Sequence, residues 1–260
     1  MPTSSWPSAV REFALCPDRF TRLSAEVERF DDGRVCVLQG TVWAAVSGVR
    51  AAPGELEELV EQVRALVPPE KHAVWWLDPD AEPPDLHARL VALGFREPAY
   101  RVAELYAMAC TDEPATGASE IDVRPAESFD DFRLAQEVSW RAFDTPPERR
   151  QNDAQQLLEF EAARDAGVPA TFLAYLDGRA AGTARSIYSD RGVFLIAGAV
   201  EEWARGRGVY RALVRARWDD AVARGTPVLV TESIPGTSYP ILTRLGFGVV
   251  GTMLRLEDPR

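Results

Sequence analysis

Residues 195–218 read Leu-Ile-Ala-Gly-Ala-Val-Glu-Glu-Trp-Ala-Arg-Gly-Arg-Gly-Val-Tyr-Arg-Ala-Leu-Val-Arg-Ala-Arg-Trp. An apolar strand runs into Arg205-Gly206-Arg207-Gly208, and an amphipathic helix follows at once. Glycines let backbone N–H groups converge without a Cβ in the way. A helix N-terminus adds unpaired donors and a partial positive charge. The two arginines add full charge, so the stretch has the makings of a pyrophosphate cradle. Two nucleotide loops are excluded. A P-loop needs a lysine that is absent here, and a dinucleotide fingerprint needs a third glycine where Arg211 stands.

The rest of the second half fits around this unit. Ile121–Pro125 reads as a short strand, and residues 128–142 as a helix with Ser128 as N-cap. Residues 148–166 read as a second helix, closed by Gly167 and Pro169. Strand, Asp177-Gly178 and strand make a hairpin signal over 171–188. The helix over 207–224 buries Val209, Ala212, Leu213 and Ala216, with Val214 and Trp218 opposite. Val228–Thr231 reads as a buried parallel strand, followed by a short helix at 238–245 and a last strand at 247–256.

The first half ends in the same way. After a strand near 42–47 come a helix at 54–66, a strand at 73–77 and a helix at about 84–93. Leu90-Val-Ala-Leu-Gly-Phe95 then echoes Leu242-Thr-Arg-Leu-Gly-Phe247: helix end, C′ glycine, Phe opening a strand. The echo points to an internal duplication. Residues 1–30 look helical. Thr111–Ser119, rich in Pro, Gly and small polar residues, reads as a linker. The expected units are residues 1–112, a connector at 113–119, and residues 120–260.

The 260-residue chain is 46% hydrophobic and carries a formal net charge of −11. Residues 1–112 hold 11 Lys+Arg against 18 Asp+Glu, a net of −7, which leaves −4 for the remainder. This balance argues against a nucleic-acid or anionic-membrane footprint and suits a cationic partner such as an amine. No apolar run reaches membrane-span length, and no signal peptide is read. The cysteines, Cys16, Cys36 and Cys110, are widely spaced, so neither a disulfide framework nor a metal site is expected, and a cytoplasmic setting fits. The arginine-rich, GC-rich-style usage points to a bacterial source. A monomer or homodimer is expected.

The strand, Arg205–Tyr210 and the long helix resemble the acyl-CoA motif of the GNAT superfamily of N-acetyltransferases, Arg/Gln-x-x-Gly-x-Gly/Ala. Arg205 and Gly208 match; Tyr210 stands where Gly or Ala is usual. The upstream hairpin and Pro240–Phe247 are also GNAT-like. The resemblance covers residues 120–256 by motif and 35–108 as a degenerate repeat, with Ala51-Ala-Pro-Gly54 in place of a CoA loop. It implies an α/β fold with a mixed sheet, made of two tandem GNAT-like domains. It also implies an acetyl-CoA-dependent N-acetyltransferase acting on a primary amine of a small molecule by direct attack on the thioester. Aminoacyl-tRNA-dependent transfer and a non-catalytic CoA-binding module are the alternatives.

The resemblance also assigns roles. Ala199, Val200 and Glu201 would lie along the pantetheine arm, and Arg205, Gly206, Arg207, Gly208, Val209 and Tyr210 around the pyrophosphate. Many GNATs carry a tyrosine four residues before the Gly of Leu-Gly-Phe to protonate the thiolate; here that residue is Leu242. Tyr239 is the substitute candidate, or else a core residue at a helix start. Glu232, just after the buried strand, is the candidate general base, or else a solvated acid at a turn. Trp140, Phe143 and Asp144, aromatics plus an acid at a helix end, are candidates for an amine acceptor. The acidic loop Asp78, Asp80, Glu82 and Asp85 either favours amines or is a solvated turn.

Overall fold

Eleven strands form one continuous sheet in the order β1-β2-β3-β4-β11-β5-β10-β9-β8-β7-β6. The computed structural model describes residues 6–52, 54–98, 102–116, 120–168 and 170–259. Residues 117–119 of the connector, Pro169 of the helix stop and Pro53 lie outside them.

The first repeat runs α1 (Ser8–Leu15), a 3-10 turn (Pro17–Arg19), β1 (Glu28–Asp31), β2 (Cys36–Gln39), β3 (Trp43–Ser47), α2 (Leu56–Leu66), β4 (His72–Leu77), α3 (Leu86–Ala92) and β5 (Glu104–Cys110). The second runs β6 (Asp122–Pro125), α4 (Phe129–Ala142), a 3-10 turn (Pro147–Arg149), α5 (Asp153–Ala166), β7 (Ala170–Leu176), β8 (Arg179–Ser189), β9 (Gly192–Val200), a 3-10 turn (Glu202–Ala204), α6 (Val209–Ala223), β10 (Leu229–Ser233), α7 (Tyr239–Arg244) and β11 (Gly248–Glu257). The helical reading of residues 1–30 is corrected: the helix stops at Leu15, Pro17 opens the turn, and Glu28–Asp31 pairs with β2 at the sheet edge. α5 starts later than its periodicity indicates, because Pro147 seeds the 3-10 turn and Asn152 caps the helix.

Local chemistry explains these boundaries. Ser128 and Asp131 form a capping box on α4, and Asn152 and Gln155 another on α5. Asp177 and Gly178 both have positive φ, 53° and 75°, as a two-residue hairpin turn with matching twist requires. The repeat echo is structural. Gly94 (φ 96°) and Gly246 (φ 99°) end α3 and α7, and Phe95 and Phe247 each donate 3.1 Å N–H bonds to Leu90 and Leu242.

In each repeat a parallel pair is joined by a helix: β3–α2–β4 and β9–α6–β10. The closing strands then cross over. β5 pairs antiparallel with β10, β11 with β4, and β5 with β11 in the middle. One sheet face carries α2 and α3 over Leu56, Leu59, Trp75 and Leu90, and α6 and α7 over Val193, Leu195, Trp218 and Leu242. On the other face α1 covers Leu105, Ala107, Phe194 and Val230, and α4 covers Leu173.

Each repeat therefore completes the other's hydrogen-bond ladder. Urea unfolding is expected as one transition, with near-UV dichroism and amide exchange in β2–β4 and in β7–β9 lost together. Two separate transitions would contradict this coupling.

Candidate functional site

β9 and β10 pair in parallel at three positions only, ending at Thr231↔Leu195. Beyond that β10 stays with β5, and β9 stays with β8. β9 also bulges: Thr183 faces Ala199 while Arg185 faces Ile196, and Ala197 takes a φ of 50°. A wedge therefore opens between the carboxyl ends of two parallel strands, where α/β sheets bind ligands. Among the described residues the first repeat has no such wedge. Ala51 donates to Glu82 and Glu82 to Val49 (both 3.0 Å), which carries the pairing onward. The Arg50 guanidinium meets the buried Asp78 carboxylate at 3.0 Å across it. The acidic loop is thereby pinned by arginines, since Asp80 also pairs with Arg11 and Asp85 with Arg89.

The glycine loop sits at the mouth of the wedge. Gly206 and Gly208 have φ of 78° and 89°, the left-handed region that favours glycine. The first helical bond of α6 runs from Ala212 to Gly208 (3.0 Å), which leaves the earlier N–H groups of the first turn for a ligand. Arg205 braces the loop from outside, its Nε donating to Val200 O and its Nη2 to Ala142 O, both at 3.3 Å. Arg207 pairs with Asp177 at 3.0 Å. Glu201 is buried and bound to Arg141 at 2.6 Å, which locks the end of β9 to α4. Val209 packs on Gly182, where a Cβ would stand 2.7 Å from its Cγ1. The bulky Tyr210 has a compensating partner, because a Cβ on Gly198 would lie 2.9 Å from its ring. Burial pushes the Tyr210 phenol up, against the pull of the adjacent Arg217 guanidinium.

Glu232 is the first residue of β10 past the last β9–β10 pair. Strand alternation puts it on the face of Val230, beneath α1, while Leu229 faces α6. Its half-buried carboxyl makes no side-chain hydrogen bond or ion pair among the described residues. Burial pushes it up to about 8, the Asp18 carboxylate adds to the shift, and the Arg255 guanidinium opposes it. Asp18 comes from the first repeat and is itself raised to about 6 by burial, although it accepts a 3.2 Å bond from Ser47. Tyr239 opens α7 on the opposite face, edge-to-face with Tyr106 of β5 at 4.9 Å between centroids. Leu242 is fully buried in the core.

Trp140, Phe143 and Asp144 lie together at the end of α4, beside the backbone of Ala142 that Arg205 braces. Phe143 is 56% exposed, Asp144 has a φ of 49°, and the Arg150 guanidinium lies 5.9 Å from the Trp140 ring. Sequence reasoning missed a different cluster. A cavity of about 270 Å³ between α4, α5 and the β8–β9 bulge is lined by Gln136, Ser139, Gln151, Glu159, Arg185 and Ala197, with Thr183. The signal available was Arg185 itself, a charge in the middle of β8. A cleft of about 360 Å³ at Arg124, Asp131 and Tyr175 belongs to the outer edge of the sheet, away from the wedge.

Solved structures share this fold over most of the chain. A GCN5-related N-acetyltransferase from Kribbella flavida is similar with a TM-score of 0.67 at 18% identity, over 98% of this chain and 97% of its own. A tandem GNAT protein from the clavulanic acid biosynthesis pathway is similar with a TM-score of 0.58 at 15% identity, over 99% and 89%. The fold is that of a tandem GNAT protein. A GCN5-related N-acetyltransferase from Sphaerobacter thermophilus is also similar, with a TM-score of 0.58 at 18% identity over 87% and 80%. No family model matches the chain, and no curated protein matches it. Within the GNAT fold the second repeat has the open wedge and glycine loop, and the first has the closed one.

The Glu232 shift has a consequence for stability. Between its ordinary value of 4.5 and about 8, the folded protein keeps a proton that the unfolded chain has lost. Stability therefore falls as pH rises through that window. Glu232→Gln should melt progressively higher relative to wild type as the pH rises across it; a pH-independent difference in Tm would contradict the raised carboxyl.

Proposed function

We propose that the chain transfers an acetyl group from acetyl-CoA to a primary amine of a small molecule. The observation that carries this reading is the wedge between β9 and β10 opening beside the Gly206–Gly208 loop at the start of α6. Acetyl-CoA supplies the acyl thioester. The residues present fit it: two left-handed glycines, the free first-turn N–H groups of α6, and the Arg205 and Arg207 charges. The backbone of Ala199, Val200 and Glu201 borders the wedge, and Arg205 through Tyr210 surround the phosphate end.

Glu232 takes the proton from the attacking amine. A carboxyl near 8 is well matched to that task at neutral to mildly basic pH. Tyr239 holds a phenolic proton for the departing sulfur. The two stand on opposite faces of β10, which supports an amine arriving on the α4–α5 side and a donor lying on the α6–α7 side. No cysteine stands at the wedge, so transfer is direct rather than through a covalent enzyme intermediate. Residues 120–260 are the catalytic repeat, 1–112 a supporting repeat without a CoA site, and 113–119 the connector. The protein acts in the cytoplasm.

Isothermal titration with CoA tests the reading. Saturable binding is expected, weakened about tenfold or more in Arg205→Ala/Arg207→Ala. Absence of binding, or unchanged affinity in that variant, overturns it. In a thiol-release assay kcat/KM should rise with pH to a plateau above an apparent pKa of about 8. Glu232→Gln should lose about 10²–10⁴-fold and flatten the profile.

A further inference from the structure

Across the open face of the sheet, Arg185, Ile196 and Glu232 stand in one row on three adjacent strands. Arg185 pairs with Ile196, and Glu232 follows the Thr231↔Leu195 pair by one residue. The ends of the row are two strands apart, and the parting of β9 from β10 after Thr231↔Leu195 widens the gap between them. Between them lies the Ala197 bulge, which also lines the cavity beneath α4 and α5.

Arg185 is held at one end of the row by a closed ring of hydrogen bonds. Its Nη1 donates to Glu159 Oε1 (2.7 Å) and its Nη2 to Gln136 Oε1 (2.9 Å). Gln136 Nε2 donates to Gln151 Oε1 (3.0 Å), and Gln151 Nε2 to Glu159 Oε2 (2.9 Å), which completes the circuit. The guanidinium carbon lies 5.5 Å from the Phe132 ring centroid. Side-chain partners take up two of its five N–H donors, and one of those partners is a neutral amide oxygen. A ligand carboxylate would exchange that amide for a charge-assisted pair. A simple amine finds no equivalent at Arg185, because an ammonium group, like the guanidinium, only donates.

We propose that the acceptor is a free α-amino acid, its carboxylate on Arg185 and its amine at the Ala197 bulge on the Glu232 side. This deepens the acyl-transfer reading and rests on it for the reaction, though not for binding. The carboxylate and amine of an α-amino acid sit on one carbon, so the ligand lies along the row with its side chain directed away. Arg185 is the specificity-determining residue, and Gln136, Gln151 and Glu159 position it.

The test is calorimetric titration of the full chain, with and without CoA, using pairs that differ only in the carboxylate. Suitable pairs are lysine and cadaverine, ornithine and putrescine, and phenylalanine and phenethylamine. At least one amino acid should bind about tenfold or more tighter than its amine. The methyl ester of that amino acid should bind like the amine. Arg185→Gln should bring the pair within about threefold with CoA affinity unchanged, and Arg185→Lys should restore part of the difference. Equal or tighter binding of the amines by wild type overturns the proposal, and so does a preference that survives in Arg185→Gln. The ester comparison needs only the wild-type protein, so it decides the matter even if the variants misfold. Failure of CoA to bind while the amino-acid preference holds would count against acyl transfer and leave this site standing.

Discussion

The parallel ladder between β9 and β10 runs for three residue pairs and then stops, and the candidate site is arranged around that stop. Backbone N–H and C=O groups in a sheet interior need partners, and a strand that diverges leaves some of them for something else. The bulge at Ala197-Gly198 causes the divergence. Two residues of β9 stand where β8 offers one, and the local kink turns the end of β9 away from β10. The end of β9 leads through the glycine loop into the first turn of α6, whose N–H groups are also without intrahelical partners.

The first repeat shows what the same architecture does when the stop is removed. Its β3–β4 pair is extended through Val49, Ala51 and Glu82, and the Arg50–Asp78 ion pair fills the remaining gap. Removing Arg50 would leave the buried Asp78 carboxylate without its counter-charge, so the closure is firm. That repeat still contributes to the site of the other. Its closing strand β5 borders β10, and its 3-10 turn brings Asp18 close enough to raise the Glu232 carboxyl. The crossing of β5 and β11 is what puts these groups from distant sequence side by side.

The two departures from the usual GNAT motif are both accommodated by packing. Tyr210 takes the place of a small residue, and Gly198 yields the volume its ring occupies. Leu242 is sealed in the core under α7, while Tyr239, three residues earlier, lies edge-on to Tyr106. An aromatic hydroxyl is thus retained on that face of β10, with its ring supported by a residue of the other repeat.

Sequence alone determined a good deal. The glycine loop before α6, the hairpin at Asp177-Gly178, the caps at Ser128 and Gly167, and the Leu-Gly-Phe echo are local signals, each set by the φ or hydrogen-bond demand of a few adjacent residues. They were enough for a mixed α/β fold and a duplicated chain, and they singled out the glycine loop of the second copy. The edge strands β1 and β2 were not read, and the strand expected to open at Phe95 starts only at Glu104 as β5, because pairing partners rather than internal periodicity make those segments strands. Glu232 was visible as an acid after a buried strand. The raised carboxyl on the face opposite Tyr239 depends on strand alternation and on the neighbours that β5 and the Asp18 turn supply. The ring of Arg185, Gln136, Gln151 and Glu159 joins residues up to 49 positions apart, and no local pattern connects them. Short-range stereochemistry is written in consecutive residues. The electrostatics and shape of a cavity arise only where separate elements meet, so tertiary structure decided them.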